Sequence, residues 1–279
     1  MPRLTENPVL LREVRSRLRW RRLPMATLLR AGAIVTVLAI VCYARLITLI
    51  HRGRADDATS IWWVIAYVLL FLVALLAPAL AATAISQERE QQTWEGLIVT
   101  RLTPMQILLG KWTARQMLLG IALLILAPLM IAVAVKGGVS LITAVLTLLT
   151  LTLSSGFYSG IGMLCSFIAR RTPAATASSL VIVVFLCLGT IVVNSIMVSL
   201  LQPMNYSNTP SQISPMLWLN PFITMDSVQQ IYNTPDNRDP QWLDAYITQI
   251  TMYLSLTAVL TTMIFAFMIG RYRKPSREG

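Results

Sequence analysis

The chain has 279 residues, of which 56% are hydrophobic and only 13% charged. A soluble domain carries about 25% charged residues, and disorder needs low hydrophobicity, so the composition excludes both classes and points to a membrane protein. The few charges are unbalanced, 23 Lys and Arg against 12 Asp and Glu for a net +11. Such an excess marks nucleic-acid binding, anionic lipid, or the loops that flank membrane spans, and its distribution decides among them.

In chain order, the stretch from Asn7 to Leu23 reads as an amphipathic helix lying on a membrane surface. Asn7-Pro8 supplies a cap and a first-turn proline. Leu11, Val14 and Leu18 recur at helical spacing, while Arg12, Arg15, Arg19 and Arg22 mark another face. No aromatic platform or DNA-binding motif accompanies these arginines, so nucleic acid is not an expected partner; membrane lipid is.

Six apolar stretches then approach or exceed the roughly 20 residues that cross a bilayer. They cover 28–50, 61–85, 115–135, 139–168, 174–201 and 246–269. Only helices suit such uninterrupted spans. The expected architecture is therefore an all-α polytopic membrane protein: an interfacial region 1–27 followed by a six-helix transmembrane domain, 28–279. Seven arginines precede the first stretch and no small-residue cleavage site follows it, so it reads as a retained span rather than a signal peptide. Seventeen of the 23 positive residues fall on the side of the termini and of the loops after spans two and four. That total counts Arg89, Arg101, Lys111 and Arg115 as loop residues. The positive-inside rule then places both termini in the cytoplasm. The opposite side holds one long connection, 202–245, rich in proline and acidic residues, whose apolar piece 215–225 is too short to span and reads as a re-entrant turn.

The loop after span two is the most informative segment. Glu88, Arg89 and Glu90 cluster just outside the membrane, and Trp94, Leu97, Ile98, Leu102 and Met105 follow at steps of three and four. That stripe predicts a short amphipathic helix within 86–103. Thr103-Pro104-Met105-Gln106 reads as an N-cap, a first-turn proline and a capping-box glutamine opening the next helix. The pattern alone fits either docking onto a soluble partner, with Trp94 as anchor, or a solvated loop resting on lipid.

These residues carry a resemblance. The run Gln-Glu-Arg-Glu-x-x-Thr-Trp-Glu-x-Leu-x-x-Thr-x-Leu-Thr-Pro from Gln87, followed by Leu-Leu-Gly-Lys at 108–111, resembles the membrane subunits of ABC-2 type transporters. The N-terminal Asn-Pro-Val-Leu-Leu-Arg-Glu and Leu-Asn-Pro-Phe at 219–222 are smaller echoes. The match covers the topology of the whole chain and a signature of about 25 residues. One departure is visible: the family often has glycine at the position of Gln92. The resemblance implies a permease, in the plasma (inner) membrane, of an ATP-driven transporter, with an exporter as the expected direction. It implies two copies of a separate ATPase subunit that bind ATP and Mg, and a second permease copy or a related permease. It also implies that Glu88, Arg89, Glu90, Thr93, Trp94, Glu95 and Leu97 lie where that ATPase is met. The alternative class is a non-transporting scaffold that anchors a soluble partner.

Other signals are weak. No GxxxxGK[ST] occurs, so the chain is not expected to hydrolyse ATP, and no cofactor or metal site is expected in it. His51 is the single histidine, and Ser159 has no evident base, so no catalytic site is expected. Gly156 and Gly160 suit close helix packing or a pathway-lining face. Asn194, a polar side chain deep in span five, suits an interhelical hydrogen bond or substrate contact. Pro78 and Pro128 are expected to kink spans two and three.

Overall fold

The computed structural model describes residues 44, 55–92, 103–201, 214–233 and 240–272, and among these no strand occurs. The elements are α1 (Ala55–Glu90), α2 (Pro104–Gly137), α3 (Leu141–Ile168), α4 (Thr172–Val184), α5 (Thr190–Leu201), α6 (Pro221–Asn233) and α7 (Pro240–Tyr272). A π-helical turn, Phe185–Gly189, joins α4 to α5, and a 3₁₀ turn, Pro215–Leu217, precedes α6. The expected spans two to six correspond to α1, α2, α3, α4 with α5, and α7. The first span and the interfacial helix, with Arg12, Arg15, Arg19 and Arg22, lie outside the described residues.

Among the described residues four stretches are long and apolar enough to cross a bilayer: Ala58–Glu90, Leu141–Ile168, Thr172–Met197 and Leu243–Arg271. The two arms of α2, Pro104–Ile121 and Leu126–Gly137, meet at 45° and make a fifth when counted together as one span. Pro128 explains the break, because proline removes one helical hydrogen bond and its ring presses on the carbonyl four residues earlier. Pro78 also sits inside its helix, α1.

The central pillar is α1. Its side chains contribute to three stacked clusters: Trp62, Trp63 and Leu70 at one end, Val73 and Ala77 in the middle, and Ala84 and Ile85 at the other. In lipid, helix association depends on close van der Waals packing rather than on burying apolar area, so small residues mark the contacts. The tightest is the crossing of α1 and α3. A Cβ built on Gly162 would stand 2.4 Å from the Pro78 carbonyl oxygen. Gly156 and Gly160 also face neighbours, but less closely: their Cβ positions lie 3.5 Å from the Trp112 ring and 3.7 Å from Thr261.

Polar side chains tie the bundle internally. Gln116 on α2 meets the Ser155 and Ser159 hydroxyls of α3, and Trp112 Nε1 donates to the Gly156 carbonyl at 3.3 Å. Ser154 and Tyr253 link α3 to α7 at 2.6 Å. Asn194 is half-buried, and no described residue hydrogen-bonds its side chain. Asn220 does make a link between elements. Its Nδ2 donates to the Cys187 carbonyl at 2.7 Å and to Thr190 Oγ1 at 2.9 Å, fastening the start of α6 onto the π-helical turn.

Candidate coupling junction at the charged end of helix α1

The last turn of α1 carries three consecutive charges, each fixed to a different helix. Glu88 reaches Lys111 on α2, with Oε1 2.5 Å from Nζ. The Lys111 ammonium also donates to the Ala84 carbonyl at 2.9 Å, so it straddles the last two turns of α1. Arg89 donates from Nη1 to the Phe167 carbonyl at 2.9 Å, at the C-terminal end of α3. Its guanidinium stands 5.6 Å from the centroid of the Phe167 ring. Glu90 accepts from the Thr172 backbone amide at 2.7 Å and from its hydroxyl at 2.8 Å.

Helix dipoles explain the signs. The carbonyls that end α3 carry partial negative charge and receive the arginine; the free amides that open α4 carry partial positive charge and receive the carboxylate. Arg171 occupies the N-cap of α4 with no side-chain cap, so Glu90 supplies the missing acceptor from another helix. One turn earlier, Ser166 Oγ accepts from the backbone amides of Ile85 and Ser86, both at 2.9 Å. The end of α1 is thereby joined to α2, α3 and α4 within about one turn.

Two positions correct the reading of the loop charges. Lys111 and Arg115 are not loop residues: both lie inside α2, at 1% side-chain exposure for Lys111 and 1% for Arg115. Arg115 Nη1 donates to the Lys111 carbonyl at 3.2 Å. Both charges interrupt an apolar run, which shortened the expected helix; the ion pair with Glu88 is what lets α2 carry Lys111 inward. Subtracting them leaves the charge asymmetry between the two sides in place.

The segment following α1 is bracketed by two described ends. At one end Gln92 adopts φ +55°, and it is the one non-glycine residue with positive φ among the described residues. Gln91 and Gln92 donate back to the Gln87 and Arg89 carbonyls at 3.0 and 3.2 Å, ending the helix. At the other end, Thr103 caps α2. Its hydroxyl accepts from Gln106 N at 3.3 Å, and Gln106 Oε1 accepts from Thr103 N at 3.0 Å, the expected reciprocal box. Thr93, Trp94, Glu95 and Leu97 lie outside the described residues. A left-handed conformation costs an ordinary residue about 1–2 kcal/mol, so Gln92→Gly is expected to raise stability by about 1 kcal/mol, read as a higher midpoint of thermal unfolding.

The junction is built from direct side-chain contacts between helix ends. Among the described residues no group of three potential ligands is placed to hold a metal ion. Its ties are the Glu88–Lys111 ion pair, the Glu90 cap and side-chain to backbone hydrogen bonds, which hold the ends of four helices together. Sequence reasoning finds Glu88, Arg89 and Glu90 but misses their partners Lys111, Phe167 and Thr172. The Leu-Leu-Gly-Lys run is the available signal for the first.

No curated protein matches the chain. Comparison with known families matches residues 8–274 to a family described as ABC-2 family transporter protein. With apolar helices of spanning length and a match over nearly its whole length, the chain belongs to the ABC-2 family of transporter proteins, as a membrane-spanning permease of the ABC class.

Proposed function

We propose that the chain is the permease subunit of an ATP-driven exporter, in which a separate ATPase subunit does the hydrolysis and this chain converts it into movement. Two ATPase copies would serve a pair of permeases, formed by two copies of this chain or by this chain and a related one. The charged end of α1 would face the cytoplasm of a cell whose plasma membrane holds the complex. The carrying observation is the fastening of Glu88, Arg89 and Glu90 to three other helices.

In this reading the 86–103 segment, with Thr93, Trp94, Glu95 and Leu97, meets the ATPase. Closure of the ATPase pair around ATP displaces that segment. Because α1 is tied to α2, α3 and α4, the displacement moves four helix ends together rather than bending one. The force is applied through short charge-assisted contacts, which are geometrically demanding and transmit small shifts.

The direct test is the double variant Glu90→Gln/Trp94→Ala in the reconstituted complex. ATP hydrolysis is expected to persist while transport falls by at least tenfold, with insertion and elution profile unchanged. A double variant that transports normally would remove this surface from the interface, and a chain that co-purifies with no ATPase would remove the transport reading.

A further inference from the structure

Helix α6 carries a carboxylate into a part of the bundle that the junction does not use. Its first residues are anchored deep. Asn220 holds the π-helical turn and Thr190, which lies about 16 Å along α5 from Leu201 at 1.5 Å per residue. Asn220 Oδ1 also accepts from Phe222 N at 2.9 Å, capping α6. At the far end, the Tyr232 hydroxyl donates to the Gly137 carbonyl at 3.3 Å, where α2 turns into α3. The helix thus climbs from the interior to the end of the bundle opposite the junction.

Its two faces differ. Met225 and Val228 are buried against Trp62, Trp63 and Leu70 of α1. Asp226, Gln229, Gln230 and Asn233 occupy the other face at steps of three, four and seven. Asp226 is exposed and precedes Tyr232 by six residues, about 9 Å of axial rise. A carboxylate is excluded from hydrocarbon by its cost, so this stripe faces water or a ligand. Among the described residues no basic side chain pairs with Asp226, and Gln230 hydrogen-bonds it.

The Tyr67 ring borders this stripe, while Trp63 and Tyr232 pack behind it in the cluster that holds Met225 and Val228. The Tyr67 hydroxyl donates to Gln229 Oε1 at 3.1 Å. Trp63, one turn away on α1, meets the Tyr232 ring edge-on with centroids 6.3 Å apart. Trp63 is 4% exposed, and its Nε1 has no hydrogen-bond partner among the described residues. A carboxylate beside the Tyr67 ring and an amide oxygen is complementary to a positive charge on an apolar body. The carboxylate attracts the charge, the ring adds the attraction of its quadrupole, and an anion of the same shape is repelled.

We propose that Asp226, Tyr67 and Gln229 form a binding site for organic cations at the end of the bundle opposite the junction. Calling that ligand cargo rests on the transport reading; the site itself does not.

The test uses the full chain in nanodiscs, without ATPase, and equilibrium dialysis of tetraphenylphosphonium against tetraphenylborate, two ions of matched shape and opposite charge. Over the uptake by empty nanodiscs, the wild type is expected to bind the phosphonium saturably and to add no saturable binding of the borate. Asp226→Asn is expected to weaken phosphonium binding about tenfold, Asp226→Glu to retain it, and Tyr67→Phe to weaken it a few-fold. Equal binding of the two ions, or Asp226→Asn binding as tightly as wild type, overturns the proposal. Should Asp226→Asn fail to elute as folded protein, unchanged binding by Tyr67→Phe overturns it instead. Phosphonium binding that depends on Asp226 in a chain that recruits no ATPase keeps the site and removes the transport reading; ATP-driven transport with no such binding does the reverse.

Discussion

Gly162→Ala is expected to be the most damaging single-methyl change in the described bundle. The added Cβ would stand 2.4 Å from the Pro78 carbonyl oxygen and 2.9 Å from its Cα, both backbone atoms that no rotamer change moves aside. Helices α1 and α3 must separate, and the contacts stacked along α1 loosen with them. Overpacking of a core typically costs about 1–3 kcal/mol, and a clash with backbone belongs at or above the top of that range. Gly156→Ala and Gly160→Ala are the controls. Their new methyl groups meet the Trp112 ring at 3.5 Å and Thr261 at 3.7 Å, ordinary contact distances. Alanine's better helix propensity, about 1 kcal/mol over glycine, offsets small losses there. Thermal unfolding of the three purified variants should show a large drop for Gly162→Ala and shifts under about 1 kcal/mol for the other two. Three equal midpoints would mean that the crossing is not a tight one.

The same glycines show what was readable from residues alone. Small residues on α3 announce a packed face, because the spacing that makes them a stripe is a property of one helix. Which of them takes the closest approach depends on where Pro78 of α1 falls against it, and no pattern within α3 records that. Local chemistry was legible in the same way: Thr103, Pro104 and Gln106 give the cap of α2 because all its atoms lie within four residues. Lys111 was legible as a charge but not as a buried one, since its partners are Ala84 and Glu88, on a helix separated from it by the segment between α1 and α2. Asn220 belongs to the same class. Leu-Asn-Pro-Phe marks a helix start, whereas its attachment to the turn at Cys187 is a contact between segments 33 residues apart.

Lys111→Met is expected to produce the second large effect, and it separates stability from coupling. The side chain is 1% exposed, and its ammonium meets both the Ala84 carbonyl and the Glu88 carboxylate. Methionine fills similar volume but leaves Glu88, one quarter exposed, without that cation. Breaking a buried pair on one side costs about 3–5 kcal/mol, and the partial exposure of Glu88 places this case at or below the lower end. Glu88→Gln alone takes the carboxylate from the deeper charge, Lys111, and is expected to be comparably harmful. The double variant removes both charges, so it should recover a good part of the loss, with a pair coupling of about 1–3 kcal/mol in a double-mutant cycle of unfolding. Transport should not recover with it. The pair joins the end of α1 to the start of α2 on either side of the segment proposed to meet the ATPase, and two neutral side chains do not hold that separation against a push. The expected result is a double variant that unfolds near the wild-type midpoint and hydrolyses ATP with transport several-fold below wild type. Full transport in the double variant would make Lys111 and Glu88 a packing feature of the bundle and move the transmission of force to Glu90 and Thr172.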